Sequence, residues 1–256
     1  MLLTVLGCSG SAPGPRTATS GYLLEADGFQ LAIELGHGVL AELQAVRDPF
    51  ELDALLFSHL HPDHCLDFTA LTVLRRYHPS PSRDPREQRL PVYAPADAPE
   101  RFVAAYSPNA ADRATEDLTD VFEFRPLAEG TVHIGPFEIT VATAAHPCTA
   151  FSFRIVHEGR SLVYTGDTGP SRTIEKLAKG ADAVLAEASW THAPDRPADL
   201  HLSGVEAGRL AQSAGTGQLL VTHVPPWTDS AAVLAEAAGE FEGSVRLVVP
   251  GEVLEI

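Results

Sequence analysis

The sequence predicts a layered α/β fold, and three observations support this prediction. Apolar residues make up 45% and charged residues 20% of the 256 positions, a balance typical of a globular enzyme. From residue 171 onward, helical patterns alternate regularly with short apolar runs, which is typical of strands layered with helices. Several apolar runs end directly in a histidine or an aspartate. We therefore expect sheets covered by helices, with polar side chains gathered at strand ends.

The chain is expected to form one domain over residues 1–256, because no stretch reads as a linker. No apolar run approaches the length of a membrane span. Residues 1–6 lack a basic lead, so we expect a first strand there rather than a signal peptide. Cys8, Cys65 and Cys148 are odd in number and widely spaced, which favours a reducing compartment and a cytoplasmic location.

Patterning in the first half of the chain predicts alternating strands and helices. Strands are expected at residues 2–6, 22–25, 30–34 and 52–57, and helices at 39–47 and 66–77. Residues 78–99 are rich in Pro, Arg and Ser, so we expect an exposed connection or lid with a short strand at 90–93.

The second half begins with a predicted helix at 99–106 and continues as strands and then as a strand-helix alternation. Strands are expected at 121–124, 131–134, 137–142, 151–156 and 161–164, the last two forming a hairpin around Glu158-Gly159. Helices at 171–179, 204–214 and 229–239 then alternate with strands at 183–187, 218–222 and 245–249. Ser203 is a suitable N-cap for the second of these helices.

The strand at 52–57 runs into Ser58-His59-Leu60-His61-Pro62-Asp63-His64, which places four possible metal ligands within six residues. Pro62 discourages the residues before it from continuing as helix, so the turn stays open and its side chains can face one point. This spacing is far more restrictive than an ordinary short motif. It predicts half of a two-metal site.

Three later positions repeat this arrangement. His146 follows a predicted strand and precedes a proline, Asp167 lies between glycines after the hairpin, and His223 follows the strand at 218–222. Together with His59, these residues bring four candidate ligands to four strand ends. Imidazoles and carboxylates accept zinc, and manganese or iron also suit such a mixed ligand set.

The formal charge of −16, from 34 acidic and 18 basic residues, disfavours a large nucleic-acid partner, because such binding relies on Lys and Arg. One stretch differs, since five arginines lie close together just after the metal-binding motif. They are either a solvated surface or a phosphate-facing group: Arg75, Arg76, Arg83, Arg86 and Arg89.

The motif HLHPDH, followed by His146, TGDT around Asp167 and VTHVPP around His223, resembles the metallo-β-lactamase-fold hydrolase superfamily over the whole chain. This resemblance implies an αββα sandwich, in which two mixed β-sheets pack face to face with helices outside. It also implies two divalent metal ions. One would be bound by His59, His61 and His146, the other by Asp63, His64 and His223, with Asp167 between them.

His201 in DLHLSG and Glu187 in AEASW resemble the phosphodiesterase branch that includes the tRNA 3′-processing endonucleases. VLGCSGS, SGYLLE, RRYHPS, EASWTH and THVPPW add a closer resemblance to actinobacterial atypical class II cyclic nucleotide phosphodiesterases. The tRNA-processing enzymes usually carry a long arm between the third histidine motif and the bridging aspartate. Here His146 and Asp167 are only 21 positions apart (167 − 146), which leaves room for a hairpin alone.

The resemblance implies hydrolysis of a small phosphodiester, with a 3′,5′-cyclic nucleotide such as cyclic AMP as the favoured substrate. Two cations can activate a hydroxide for in-line attack on phosphorus. Asp63 would assist at the metal pair, His201 would protonate the leaving oxygen and Glu187 would orient His201. Two alternatives stay open: an RNase Z-like endoribonuclease acting on tRNA 3′ trailers, and a metal-binding sensor or scaffold without turnover. A homodimer is also left open.

Overall fold

The computed structural model describes residues 1–197 and 199–256. Within this part of the chain, fourteen strands form two sheets of seven. The first sheet has the order β14-β1-β2-β3-β4-β5-β6. Its strands are β1 (Leu2–Gly7), β2 (Gly21–Ala26), β3 (Phe29–Ile33), β4 (Ala54–Leu56), β5 (Leu90–Ala94), β6 (Phe122–Pro126) and β14 (Val253–Glu255).

The second sheet has the order β13-β12-β11-β10-β9-β8-β7. Its strands are β7 (Gly130–Ile134), β8 (Phe137–Thr143), β9 (Phe151–His157), β10 (Arg160–Tyr164), β11 (Ala183–Glu187), β12 (Gln218–Thr222) and β13 (Ser244–Leu247). Strands β7 to β10 are joined antiparallel, whereas β10 to β13 are parallel.

Helices cover the outer face of each sheet. The first sheet is covered by α1 (Val39–Val46), α3 (Phe68–Tyr77) and α4 (Ala98–Tyr106), while the short helices α2 (Pro62–Cys65) and α5 (Ala110–Arg113) belong to connections in the same half of the chain. The second sheet is followed by α6 (Arg172–Ala178), α7 (Gly204–Ala214) and α8 (Ser230–Glu240). None of the helices in the described residues is long and apolar enough to cross a membrane.

Side chains alternate between the two faces of each strand, and the buried apolar residues form three clusters. One lies between the sheets, and the other two lie between each sheet and its helices. Leu31 and Ile33 face the cluster between the sheets, together with Leu162 and Tyr164 of the second sheet. Ala32 points the other way, into the cluster shared with α1, α3 and α4. Because successive side chains of a strand point to opposite faces, each sheet packs on its partner with one face and on helices with the other. The expected αββα sandwich is confirmed.

Strand direction decides where the functional residues meet. In the second sheet β8 runs in the same direction as β10, because β9 lies antiparallel between them, and β10, β11 and β12 are parallel. The carboxyl ends of these four strands therefore reach the same edge. In the first sheet, β3 and β4 are parallel in the same way. The residues that follow these strands come to one end of the sandwich.

One expectation is wrong, and one strand was missed. The short strand expected at 90–93 is present as β5, but it does not lie in an exposed lid, because it is an interior strand paired on both sides with β4 and β6. Its apolar residues are buried, and this packing outweighs the polar composition around it. The short strand β14, which pairs with β1, was not expected, because three residues are too few for alternation to show.

The arginine group lies at the other end of the first sheet from the strand ends described above. Arg75 is buried and donates to the carbonyls of Val121 and Gln88, which precede β6 and β5. Arg76 pairs with Asp120 at 2.8 Å. Arg83 pairs with Asp53, just before β4, and Arg89 donates to the carbonyl of Thr119. The phosphate-facing interpretation of these four arginines is therefore wrong, because their partners occupy the amino ends of the parallel strands.

Candidate metal centre

The loop after β4 delivers its ligands by a sharp change of backbone conformation. His61 is extended (φ −66°, ψ 149°), and Pro62 opens the short helix α2, which contains Asp63 and His64. The missing N–H of a proline costs nothing at the first helical position, so Pro62 suits this place. His59 and His61 therefore leave from extended backbone, and Asp63 and His64 from a helical turn. The sequence predicted the open turn but not the helix.

Three imidazoles from distant parts of the chain converge on one point. His61 Nδ1 lies 3.0 Å from His59 Nε2 and 3.2 Å from His146 Nε2. His146 Nδ1 lies 2.9 Å from the carbonyl oxygen of Leu200, which can only accept, so this nitrogen carries the proton. The lone pair of the neutral ring is then on Nε2, facing the other two histidines.

This arrangement fits a cation better than it fits hydrogen bonds. A proton on His61 Nδ1 could be donated to His59 Nε2 or to His146 Nε2, but not fully to both. The lone pair of the remaining nitrogen would then face Nδ1 without a proton between them. Ligand atoms about 2.0–2.1 Å from a tetrahedral zinc lie roughly 3.3 Å from one another, close to the separations found here. We call His59, His61 and His146 the first cluster.

The second cluster is formed by Asp63, His64 and His223, and it is buried. His223 Nε2 lies 3.2 Å from His64 Nε2 and 3.1 Å from Asp63 Oδ2. As in the first cluster, nitrogen faces nitrogen. A carboxylate joins them here, so the ligand set carries one negative charge that a divalent cation would balance.

Asp167 contacts both clusters. Its Oδ1 is 3.1 Å from His64 Nε2 and 3.3 Å from His223 Nε2, while its Oδ2 is 3.7 Å from His59 Nε2. The side chain is buried, and Oδ1 has no conventional hydrogen-bond partner among the described residues. A buried carboxylate oxygen without such a partner is costly unless a cation satisfies it. One oxygen toward each cluster is the placement expected of a bridging ligand.

The charges of the site depend on one another. Burial lowers the pKa of His59, which keeps its ring neutral and its lone pair available. Burial raises the pKa of Asp167, but the imidazoles of His223 and His64 outweigh this effect and hold its pKa well below the ordinary range. Burial lowers the pKa of His64, but the carboxylates of Asp167 and Glu34 outweigh burial. The pKa of His64 is therefore well above its ordinary value. A bound cation would replace the proton that these carboxylates attract to His64.

Hydrogen-bond partners behind the ligands orient them. Ser58 Oγ lies 3.0 Å from His59 Nδ1, and Ser189 Oγ lies 3.1 Å from His223 Nδ1. The backbone N–H of Ser11 donates to Asp63 Oδ2 at 2.8 Å. Such partners fix which ring nitrogen faces the metal, and losing one typically costs about 10–100-fold in metal affinity or activity.

Glu34 directly follows β3 and is fully buried, with its Oε1 accepting from the N–H of Ser58 at 3.1 Å and lying 3.5 Å from His64 Nδ1. It therefore connects the loop after β4 with the second cluster. Its backbone is left-handed (φ 63°), as are those of Ser11 (φ 59°) and His223 (φ 56°). Each such non-glycine residue costs on the order of 1–3 kcal/mol. Backbone strain is thus concentrated at the site.

Beside the clusters, His201 forms a pair with Glu187. His201 Nδ1 lies 2.9 Å from Glu187 Oε1, which also accepts from the N–H of Thr168 at 2.8 Å. Ser189 Oγ donates to Glu187 Oε2 at 2.9 Å, so Ser189 links this carboxylate to His223. Burial lowers the pKa of His201, but the Glu187 carboxylate outweighs burial and raises it to about 9. Glu187 accepts from Nδ1, which leaves the Nε2–H of His201 available to donate to a ligand.

Residues 36–224 match the family model described as a beta-lactamase superfamily domain. The chain belongs to the beta-lactamase superfamily. An uncharacterized protein of Mycobacterium leprae is 48% identical over 257 residues, covering 99% of this chain and 88% of that protein. A ribonuclease Z of Mycolicibacterium gilvum is 32% identical over 245 residues, covering 88% of this chain and 84% of that enzyme.

Within the superfamily, the chain is also similar to the probable metallo-hydrolase YhfI of Bacillus subtilis, with 30% identity over 259 residues and full coverage of both proteins. The crystal structure of YhfI, described as a metallo-beta-lactamase fold protein, matches with a TM-score of 0.85 at 28% identity, covering 99% of this chain and 98% of that chain. The fold and the hydrolase relationship therefore agree with the resemblance read from the motifs.

All the predicted site residues come together at one end of the sandwich: His59, His61, Asp63, His64, His146, Asp167, Glu187, His201 and His223. Their roles as ligands and catalysts stay predictions. Cys65 is buried and Cys148 is exposed, and neither belongs to a possible metal group of the described residues. Glu34 and Ser189 were missed. Glu34 stands at a strand end like the residues that were found, and Ser189 lies two positions after Glu187.

Proposed function

We propose that this protein is a metal-dependent phosphodiesterase that hydrolyses a small phosphodiester, with a 3′,5′-cyclic nucleotide such as cyclic AMP as the favoured substrate and the 5′-nucleotide as product. The observation that carries this proposal is the placement of the His201–Glu187 pair directly beside a seven-residue ligand set. His201 Nδ1 is 3.8 Å from Asp167 Oδ2, so the pair adjoins the residue shared by both clusters. A metal centre of the same ligands without an adjacent proton donor would suit storage or sensing equally well.

The donor set suits two divalent cations, zinc first, with manganese or iron also compatible with nitrogen and oxygen ligands. His59, His61 and His146 would hold one cation, Asp63, His64 and His223 the other, and Asp167 would contact both. When bound, such a pair supplies a nucleophile from water and stabilises the charge on the phosphoryl oxygens. Ser58, Ser189 and the N–H of Ser11 would orient the side chains that hold these cations.

The role of His201 follows from its hydrogen bonds. In the proposed reaction, a water oxygen forms a bond to phosphorus and loses a proton to solvent, while the bond from phosphorus to the ribose 3′-oxygen breaks. The leaving oxygen takes a proton from His201 Nε2, Glu187 stabilises the ring through Nδ1, and His201 then recovers a proton from solvent. Proton donation of this kind typically contributes about 10²–10⁴-fold to a rate.

A second candidate is an RNase Z-like endoribonuclease, favoured by the 32% identity to a ribonuclease Z. Two features of this chain count against a tRNA substrate. Between His146 and Asp167 the chain forms the β9–β10 hairpin and nothing longer. The net charge is −16, and Arg76 and Arg83 of the arginine group are paired with aspartates at the other end of the first sheet.

Incubation of the zinc-loaded protein with cyclic AMP, and separately with a tRNA precursor bearing a 3′ trailer, tests these proposals. We expect release of 5′-AMP, abolished by His201→Ala and by Asp167→Ala. Cleavage of the trailer without action on cyclic AMP would favour the endoribonuclease. Metal binding with turnover of neither substrate would favour the sensor or scaffold.

A further inference from the structure

An open pocket of about 390 Å³ lies directly beside the metal-ligand clusters and shares its inner wall with them. That wall includes His201, Ser11 and Ser189. Ser11 donates to Asp63, and Ser189 lies within hydrogen-bonding distance of His223, so two of the wall residues touch the ligands of the second cluster. A molecule whose phosphate sits at the clusters can therefore extend past His201 into this pocket.

The outer wall of the pocket is aromatic. It contains Trp190 and Trp227, which are the only two tryptophans of the sequence. The Trp227 side chain is 70% exposed, an unusual state for so large an apolar group. Trp190 lies against the pair described above, with its ring 5.2 Å from that of His201. Flat aromatic faces beside a phosphate-handling site are the surfaces on which nucleic-acid bases stack.

Trp190 presents its ring, and not its indole N–H, to this pocket. Its Nε1 is buried from solvent and has no partner among the described residues, so a ligand in the open pocket does not reach it. Arg196 lies over the same ring at 5.3 Å and adds a positive charge at the rim of the pocket.

We propose that this pocket binds the nucleobase of the substrate, with the base stacked on the exposed ring of Trp227 and Trp190 forming the aromatic wall beside His201. This inference rests on the proposed function, since it places the phosphate at the clusters. The volume falls at the lower end of the range for small-molecule sites, roughly 300–1,000 Å³, and so suits a mononucleotide.

Intrinsic fluorescence gives a direct test, because the only tryptophans of the chain line this pocket. The zinc-loaded protein is titrated with 5′-AMP and with ribose 5-phosphate, which lacks the base, and the affinities are checked by calorimetry. Base stacking is worth about 1–3 kcal/mol, so we expect 5′-AMP to bind at least about tenfold more tightly and to quench the fluorescence. Trp227→Leu should remove most of this difference, and Trp190→Phe part of it.

Tyr77→Leu is the matched control, because Tyr77 is a similarly exposed aromatic residue (67%) that does not line the pocket. Equal affinity for 5′-AMP and ribose 5-phosphate would overturn the inference even if cyclic AMP is hydrolysed. So would a preference for 5′-AMP that survives both tryptophan substitutions. A Trp227-dependent preference in a protein that does not hydrolyse cyclic AMP would support the pocket and overturn the proposed reaction.

Discussion

The two sheets contribute to the candidate metal centre in different ways. The first sheet supplies four candidate ligands from one short loop, His59 to His64, whose geometry is set locally by Pro62 and by one helical turn. The second sheet supplies single residues from separate strand ends, such as His146, Asp167 and His223. Local geometry controls the first contribution, whereas the alignment of β8, β10 and β12 controls the second.

This difference separates what a short motif encodes from what the fold must provide. The loop after β4 could keep its ligands close together with little help, but each cluster also needs a residue from the second sheet. The first cluster takes His146 and the second takes His223, and Asp167 reaches both. Neither sheet can complete a cluster alone. Substitutions in either sheet are therefore expected to weaken a cluster, and the size and kind of the effect should depend on the residue changed.

The largest effect is expected at Asp167, the residue that both clusters share. Asp167→Asn keeps the shape of the side chain but removes its negative charge and replaces one carboxylate oxygen with an amide nitrogen. We expect bound metal to fall clearly below two per chain by elemental analysis. Phosphodiester hydrolysis should fall by more than the roughly 10–100-fold typical of losing an outer hydrogen-bond partner. Asp27→Asn, at an exposed turn, is the control. Full metal content in Asp167→Asn would contradict a bridging role.

Glu187→Gln should lower the rate without emptying the metal centre, because Glu187 acts through His201. A loss of about 10²–10⁴-fold in kcat is expected for cyclic AMP, whose ribose leaving oxygen needs a proton. A p-nitrophenyl phosphodiester should lose much less, since p-nitrophenolate leaves without one. Equal losses on both substrates would show that Glu187 supports the clusters rather than proton transfer by His201.

The serines behind the histidines allow each cluster to be weakened separately. Ser58→Ala removes the partner of His59 in the first cluster, and Ser189→Ala removes the partner of His223 in the second. Each should weaken one zinc-binding step by about 10–100-fold in a competition titration with a chelator. The two variants should affect different steps. If both weaken the same step, the division into two clusters is wrong.

The smallest effect is expected at the opposite end of the first sheet. Arg83→Ala breaks an exposed pair with Asp53, and such pairs contribute about 0–1 kcal/mol. We expect kcat/KM for cyclic AMP to stay within about twofold of wild type, with a small decrease in the free energy of unfolding measured in urea. A large loss of activity would reopen a phosphate-facing role for these arginines.

The sequence predicted those parts of the site that depend on residue type at strand ends. His59, His146, Asp167 and His223 were found in this way, because polar ligands after apolar runs are conspicuous. Glu34 was not, since a single glutamate after a strand is common and its importance depends on β3 lying next to β4. The strands were predicted well because their alternation is local.

The pocket beyond His201 could not be predicted, because it is made by the meeting of separate segments. Trp190 follows β11, Trp227 follows β12, and Ser11 comes from the loop after β1. Each looks ordinary in its own stretch of sequence. The same holds for the arginine group, whose spacing left a solvated surface and a phosphate-facing group as alternatives until strand direction placed it at the far end of the sheet. Relative position in three dimensions is the information that spacing alone lacks.

The spread of the ligands along the chain has a consequence for biosynthesis. The loop with His59 to His64 leaves the ribosome early, but His146, Asp167 and His223 follow 82 to 159 positions after His64. A nascent chain therefore exposes a cluster of histidines for some seconds before the partners that complete the site exist, at typical synthesis rates of about 5–20 residues per second. Because each cluster requires the second sheet, any metal that binds both clusters can be fully loaded only after residue 223 has been synthesised.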